Sequence, residues 1–198
     1  MIKKFHFRGE PFIIHPKGNW EIVMYKICKT AKSEARQIEF QDNLLKMLKT
    51  QKMKDITIVS LCQEMGISRK TFYQYFDTIE DVLYAIIDKE LQNGFLLLEV
   101  EPQIDEFFEF WKKDKWLLDV LQKNGMSELL VDRSYNSMFT NLEGISGTEL
   151  MKHAGWISAL LTVLILWHHG GMQQSAEEMR ELIYSMFHIN KDIFNKKG

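Results

Sequence analysis

The stretch ISRKTFYQYF, Ile67–Phe76, places two cations, Arg69 and Lys70, and the hydroxyls of Ser68 and Thr71 ahead of or among four aromatic side chains, Phe72, Tyr73, Tyr75 and Phe76. Guanidinium, ammonium, amide and hydroxyl groups on so short a segment are the donors that grip phosphate oxygens and read base edges. Aromatic rings at helical spacing are equally the material of a core. The elements that carry the stretch decide which side chain does which.

Upstream context supplies those elements, in the run ITIVSLCQEMGISRKTFYQYF from Ile56 to Phe76. Thr57 is suited to cap a short helix with Ile58, Leu61, Cys62 and Met65 turned inward, and Gly66 to make a tight turn. Ile67 then plugs the space between two helices, and Ser68 caps a second helix expected to run through Tyr75. Two short helices about a glycine-containing turn form a helix-turn-helix, whose second helix enters the major groove in many DNA-binding proteins. In this register Ile67, Phe72 and Phe76 face the core. Arg69, Lys70, Thr71, Tyr73, Gln74 and Tyr75 occupy open or edge positions.

From Phe40 to about Leu91, with GISRKTFYQYF as the strongest portion, the chain resembles the DNA-binding domain of the TetR/AcrR family of transcriptional regulators. In that family a threonine-led helix, a glycine turn and a Ser-x-x-Thr-Phe/Leu-Tyr-x-His/Tyr-Phe segment precede a short turn and a fourth helix. The resemblance implies that Thr57 and Ser68 help hold phosphates at helix N-termini, and that Arg69, Lys70, Thr71 and Gln74 face base edges or nearby backbone. It implies phosphate or sugar contacts for Tyr73 and Tyr75. One position departs from the pattern: a lysine usually stands at the start of the fourth helix, and here that place is Ile79. A missing phosphate contact lowers the log–log salt slope by roughly 0.9. Lys52, Lys54 and the basic N-terminal segment are the candidates to compensate.

Charge is divided along the chain in the same sense. Residues 1–76 hold 14 Lys/Arg against 7 Asp/Glu, a net of +7, and residues 77–198 hold 11 against 20, a net of −9. Such asymmetry fits a basic module for polyanions joined to an acidic body. Apolar residues recur at three and four in Phe40, Leu44, Met47 and Leu48, in Val82, Leu83, Ile86 and Ile87, and in Met179, Leu182, Ile183 and Met186. This period predicts an all-α protein. Expected breaks fall at Gln51–Asp55, Met65–Ile67, Asp77–Thr78, Gly94, Glu101–Gln103, Asn124–Gly125, Gly144–Gly147 and Gly170–Gln174, with Ser175 and Glu178 as a capping box for the last helix. The expected organisation is a basic N-terminal extension over residues 1–30, a three-helix DNA-binding domain over 31–78, and a helical ligand-binding and dimerisation domain over 79–198. Lys3, Lys4, Arg8 and Lys17 make the extension either a strip or tail beside the body or an arm on phosphate backbone.

The two cysteines, Cys28 and Cys62, do not make a disulfide framework, and no apolar leader-like run follows the first lysines, so a reduced cytoplasm is expected. The run Ala154–Trp167 is shorter than a bilayer span and reads as a buried helix. Because it is apolar on nearly every side it needs partners on more than one face, and the resemblance implies that the last two long helices pair with their copies in a homodimer. Leu161, Leu164, Met179, Leu182 and Met186 are the candidates for that seam. Phe108, Trp111, Trp116, Met138, Phe139 and Trp156 are candidates for a pocket that takes a hydrophobic or aromatic effector, although such stripes are also core material. Adjacent His168 and His169 point about 100° apart on a helix, and Glu149 with His153 has two ligands only, so no metal is expected. With no nucleophile motif, phosphate-cradling glycine loop or paired acids, the chain reads as a non-enzyme without a cofactor. Two functions fit: a ligand-responsive DNA-binding regulator, usually a repressor by family precedent, or a helical dimer with weakened DNA binding that works through ligand or protein contacts.

Overall fold

A computed structural model describes residues 13–14, 20–21, 30–99, 103–138 and 147–187. Among the described residues the protein is all-helical apart from a two-residue antiparallel pairing between β1 (Ile13–Ile14) and β2 (Trp20–Glu21), in the register Ile13 to Glu21 and Ile14 to Trp20. Apart from Thr30, the remainder of the N-terminal extension, including Lys3, Lys4, Arg8 and Lys17, lies outside the described residues.

Helix α1 (Ala31–Leu48) starts at Thr30, whose hydroxyl accepts the Ser33 N–H while the Ser33 hydroxyl returns to Thr30. A 3-10 turn, Met53–Asp55, leads into α2 (Ile58–Glu64) and α3 (Arg69–Phe72). Next come α4 (Ile79–Glu99), α5 (Ile104–Lys113), α6 (Trp116–Asn124), α7 (Leu129–Met138), α8 (Gly147–His169) and α9 (Ala176–Phe187). Three of these ends close in the same way. Gly66, Gly125 and Gly171 take positive φ values of 63°, 66° and 79°, and the next residue donates back to the carbonyl five positions earlier: Ile67 to Cys62, Met126 to Leu121, Met172 to Trp167. This is the Schellman closure, which glycine enters without steric cost. The expected capping box of α9 is present, with the Ser175 N–H on Glu178 Oε2 at 2.7 Å and the Glu178 N–H on Ser175 Oγ at 3.1 Å.

Gly94 does not break a helix. It lies inside α4 and is buried, because a side chain there would stand 3.0 Å from Trp111 Nε1 and 3.4 Å from Phe107. Its smallness lets α4 and α5 approach closely. Helix α4 also packs on α1 and α7, so one continuous core runs from Phe40 in α1 to Ile183 in α9. The Arg133 guanidinium of α7 holds Asp88 of α4 with two hydrogen bonds and lies 4.9 Å from the Tyr84 ring. With Arg133 and Asp88 side chains only 5% and 16% exposed, this pair is desolvated and bidentate, which makes it geometrically demanding.

Helix α8 is not buried all round. Leu160, Leu161, Leu164 and Trp167 are inside, whereas Met151 and Leu166 are 76% and 64% exposed. Among the described helices it is long and apolar enough to cross a membrane by length and composition. Glu149, Lys152 and His153 interrupt its first turns, and its far end is bonded to α6 through His168.

Candidate nucleic-acid interface

Three sequence features build the helix-turn-helix. Thr57 Oγ1 accepts the Ser60 N–H at 3.1 Å and Ser60 Oγ accepts the Thr57 N–H at 2.9 Å, a reciprocal cap that starts α2. Gly66 ends it. Ser68 Oγ accepts the Thr71 N–H at 3.1 Å and stands 3.0 Å from Thr71 Oγ1, so the first turn of α3 is tied by hydroxyls. The regular helix is shorter than expected and stops at Phe72; from there the chain tightens, with Gln74 N–H on Thr71 and Tyr75 N–H on Phe72. Bonds of the i to i+3 kind carry the segment through Tyr75 as turn rather than α-helix.

Phe40 of α1 is the surface against which this segment is set. Its ring meets Phe72 at 5.5 Å and Phe76 at 5.6 Å, both edge to face, and Tyr75 at 5.6 Å. All three phenylalanines are at most 1% exposed. Edge-to-face pairs favour one relative orientation, so the aromatic cluster fixes the rotation of α3 as well as its position. The opposite side of the segment then faces outward. Arg69, Lys70, Tyr73 and Gln74 are exposed, and Thr71 and Tyr75 lie at the edge. Positions 69, 70, 73 and 74 share one helical face. Two cations, a carboxamide and a phenol are thus presented together on a segment held rigid from behind.

Other members of the expected set stand nearby in the fold. Thr57 and Ser68 are exposed, but their hydroxyls are committed to capping. Lys54 and Lys52 are exposed at the 3-10 turn that precedes α2. Lys46 is engaged with Glu64 across α1 and α2. Cys62 is buried under α3; burial pushes its thiol up, against an opposing pull from Arg69, which keeps it a neutral packing group at physiological pH.

Ile79 is a core side chain, 6% exposed, so that position has no route to a phosphate. The start of α4 is closed instead by Asp81, whose Oδ2 accepts the N–H groups of Asp77 at 3.1 Å and Thr78 at 2.8 Å, while Thr78 Oγ1 accepts the Asp81 N–H. Sequence patterning did not single out this cap, although Thr78 and Asp81 carry its three-residue spacing. Asp77 and Glu80 are exposed beside it, so the border of the basic face is anionic.

Of the candidate pocket residues, Phe108 and Trp111 pack as core, Phe108 edge-on to Trp167 at 5.4 Å and Trp111 against Phe107 at 6.3 Å. Trp156 meets Phe187 at 4.7 Å, and Trp116 is half-buried. Phe139 and the side chain of Met138 lie outside the described residues. An open depression lined by Leu97, Glu106, Glu109, Phe110, Lys112 and Lys113 contains none of the six. Of the seam candidates, Leu164 is fully buried within the chain, as are Leu161 and, nearly, Met179. Leu182 and Met186 are 45% and 49% exposed. Exposed Met151, Leu166 and Phe187, which the apolar pattern did not single out, accompany them.

No protein-family model and no curated protein matches the chain. A solved structure described as a transcriptional regulator of the TetR/AcrR family from Thermobifida fusca is similar at 13% sequence identity and a TM-score of 0.41, over 79% of this chain and 98% of that one.

Proposed function

We propose that the chain is a cytoplasmic, ligand-responsive and sequence-specific DNA-binding regulator of transcription, a repressor that acts as a homodimer on a pseudo-palindromic operator. The observation that carries this reading is the division of α3 and its following turn. Phe72 and Phe76 are locked on Phe40, and Arg69, Lys70, Tyr73 and Gln74 are thereby turned to solvent as one polar, cationic face. A positioned face of this kind suits the major groove, where Arg, Lys and Gln pair with base-edge acceptors and donors. Lys52 and Lys54 lie on the segment leading into α2 and supply phosphate contacts at its flank.

The homodimer is supported by α8. Met151, Gly155, Thr162 and Leu166 are exposed at spacings of four, seven and four, which places them on one stripe of the helix, and α9 adds Leu182 and Met186. A second copy covers such a stripe by two-fold symmetry and sets two α3 segments one DNA turn or a related interval apart. An effector is assigned by chemistry to the hydrophobic or aromatic class, from the aromatic supply of α5 and its neighbours.

The second reading, a helical dimer with weakened DNA binding, is favoured by buried Ile79 and by the carboxylates Asp77 and Glu80 at the border of the basic face. Binding of an Arg69→Ala/Lys70→Ala variant to duplex DNA selected with the wild-type protein separates the two. The first reading predicts a loss of at least a hundredfold with unchanged helicity. Equal affinity of variant and wild type at matched salt supports the second.

A further inference from the structure

We propose that the open depression between α4 and α5 is a site for a small aromatic ketone or a related neutral acceptor, and that the indole N–H of Trp111 is the donor that selects it. Among the described residues, two buried side-chain nitrogen or oxygen atoms have no hydrogen-bond partner, Trp111 Nε1 and Trp167 Nε1. Both side chains are deep in the core, at 1% and 4% exposure. An indole nitrogen donates and never accepts, so only an acceptor can relieve it. Buried donors are paired in the great majority of cases, because a lone one has given up water for nothing in return.

Gly94 connects the Trp111 donor to the depression. It stands inside α4, where a glycine weakens a helix, and it has no positive φ to call for one. What it supplies is space: the point at which a side chain would begin is 3.0 Å from Trp111 Nε1 and 3.6 Å from the Phe110 ring. Phe110 is half-buried, packs edge to face on Trp111 at 5.5 Å, and also lines the depression. Leu97, the other apolar wall, is three residues on from Gly94 and so on the same side of α4. A turn of the Phe110 ring joins the depression to the notch at Gly94 that borders the N–H. Lys112, whose ammonium lies 5.5 Å from the centre of the Trp167 ring, is in the wall as well, so the second unpartnered indole lies behind the same lining.

The walls narrow the ligand further. A volume of about 630 Å³ is in the range of small-molecule sites. Exposed Glu106 and Glu109 are balanced by exposed Lys112 and Lys113, so the rim favours neither charge. Leu97 and Phe110 offer apolar faces to a ring. At the notch an ammonium has no lone pair for the indole N–H, and a carboxylate would leave water for an apolar setting. A carbonyl oxygen accepts the N–H without a charge to desolvate. That occupancy alters DNA affinity rests on the function proposed above; the site itself stands on Trp111, Gly94 and the depression.

Three molecules of one skeleton test this on the full chain: acetophenone, which accepts; ethylbenzene, which has no polar group; and 1-phenylethylamine, which is protonated at neutral pH and only donates. The readout is the set of five tryptophan indole N–H resonances by NMR. Trp111 is identified by its loss in Trp111→Phe, or by Overhauser contacts to Phe107 and Phe110 if that variant does not fold. The expected result is a saturable downfield move of the Trp111 N–H proton with acetophenone. Ethylbenzene to wild type, and acetophenone to Trp111→Phe, are each expected to bind about fivefold more weakly, the scale of one hydrogen bond. A Trp111 resonance that stays in place up to the solubility limit of acetophenone overturns the proposal. So does equal binding of ethylbenzene, or tighter binding of 1-phenylethylamine. Titration of selected duplex DNA with acetophenone-saturated protein is a separate arm: unchanged duplex affinity refutes the effector role alone, and the Trp111 resonance then decides the site by itself.

Discussion

Replacing Leu166 by Ala probes the face of α8 that the chain leaves uncovered. Fully burying a leucine side chain contributes about 1.5–3 kcal/mol. Leu166 is 64% exposed in the protomer, so a partner that covers it gains roughly 1–2 kcal/mol from each copy, applying that scale to the exposed share. Two-fold symmetry doubles the term to roughly 2–4 kcal/mol, which corresponds to a dissociation constant raised about 30- to 1,000-fold. Sedimentation equilibrium over nanomolar to micromolar protein measures it directly. Leu164→Ala is the internal control, because that side chain is fully buried within the protomer. It should lower protomer stability by about 2–5 kcal/mol through the cavity it leaves, with little change in association measured well below the melting transition. Wild-type protein that sediments as a monomer at micromolar concentration, or a Leu166→Ala constant within threefold of wild type, refutes the assignment of this face to a second copy.

Gly66→Ala should cost about 1–2 kcal/mol and lower the melting temperature by several degrees, since the position holds φ at 63° with open space around it and only the backbone conformation is penalised. Arg133→Met should destabilise by about 3–5 kcal/mol in chemical denaturation by stranding Asp88, and adding Asp88→Leu should recover much of the loss; equal stability of single and double variants would contradict a desolvated pair. Burial raises the Glu90 carboxyl, with Lys89 opposing, so its charged form is the disfavoured one. Its contribution is complete below the ordinary glutamate range and is lost as pH rises through the elevated folded value, so Glu90→Gln should raise the melting temperature at pH 7 and leave it unchanged near pH 3.5.

Local chemistry made the helix-turn-helix legible in the sequence. Thr57, Gly66 and Ser68 each act on backbone groups within five residues of themselves, so their types and spacing state the geometry directly. The same holds for Ser175 with Glu178 and for Gly125. The features that were not legible depend on distant partners. Gly94 reads as a break until Trp111 is placed against it, when it becomes a close contact inside one long helix. From Ala154 to Trp167 helix α8 is apolar on nearly every side, so no period distinguishes inward Leu164 from outward Leu166; tertiary packing alone makes that choice. Asn124 Oδ1 accepts the N–H of Met53, 71 residues away, and nothing local to either announces that bond. Ile79 shows as a missing cation in the sequence, and the structure adds the reason, a buried position behind an Asp81 cap.

The central claim, that the face of Arg69, Lys70, Tyr73 and Gln74 reads duplex DNA, is tested most directly by selecting binders from a random duplex library and titrating the enriched sequence against a scrambled one at fixed salt. The account predicts a two-fold symmetric consensus bound at least a thousandfold more tightly than the scrambled duplex, in the range of specific recognition. No enriched sequence, or equal affinity for the two duplexes, contradicts it.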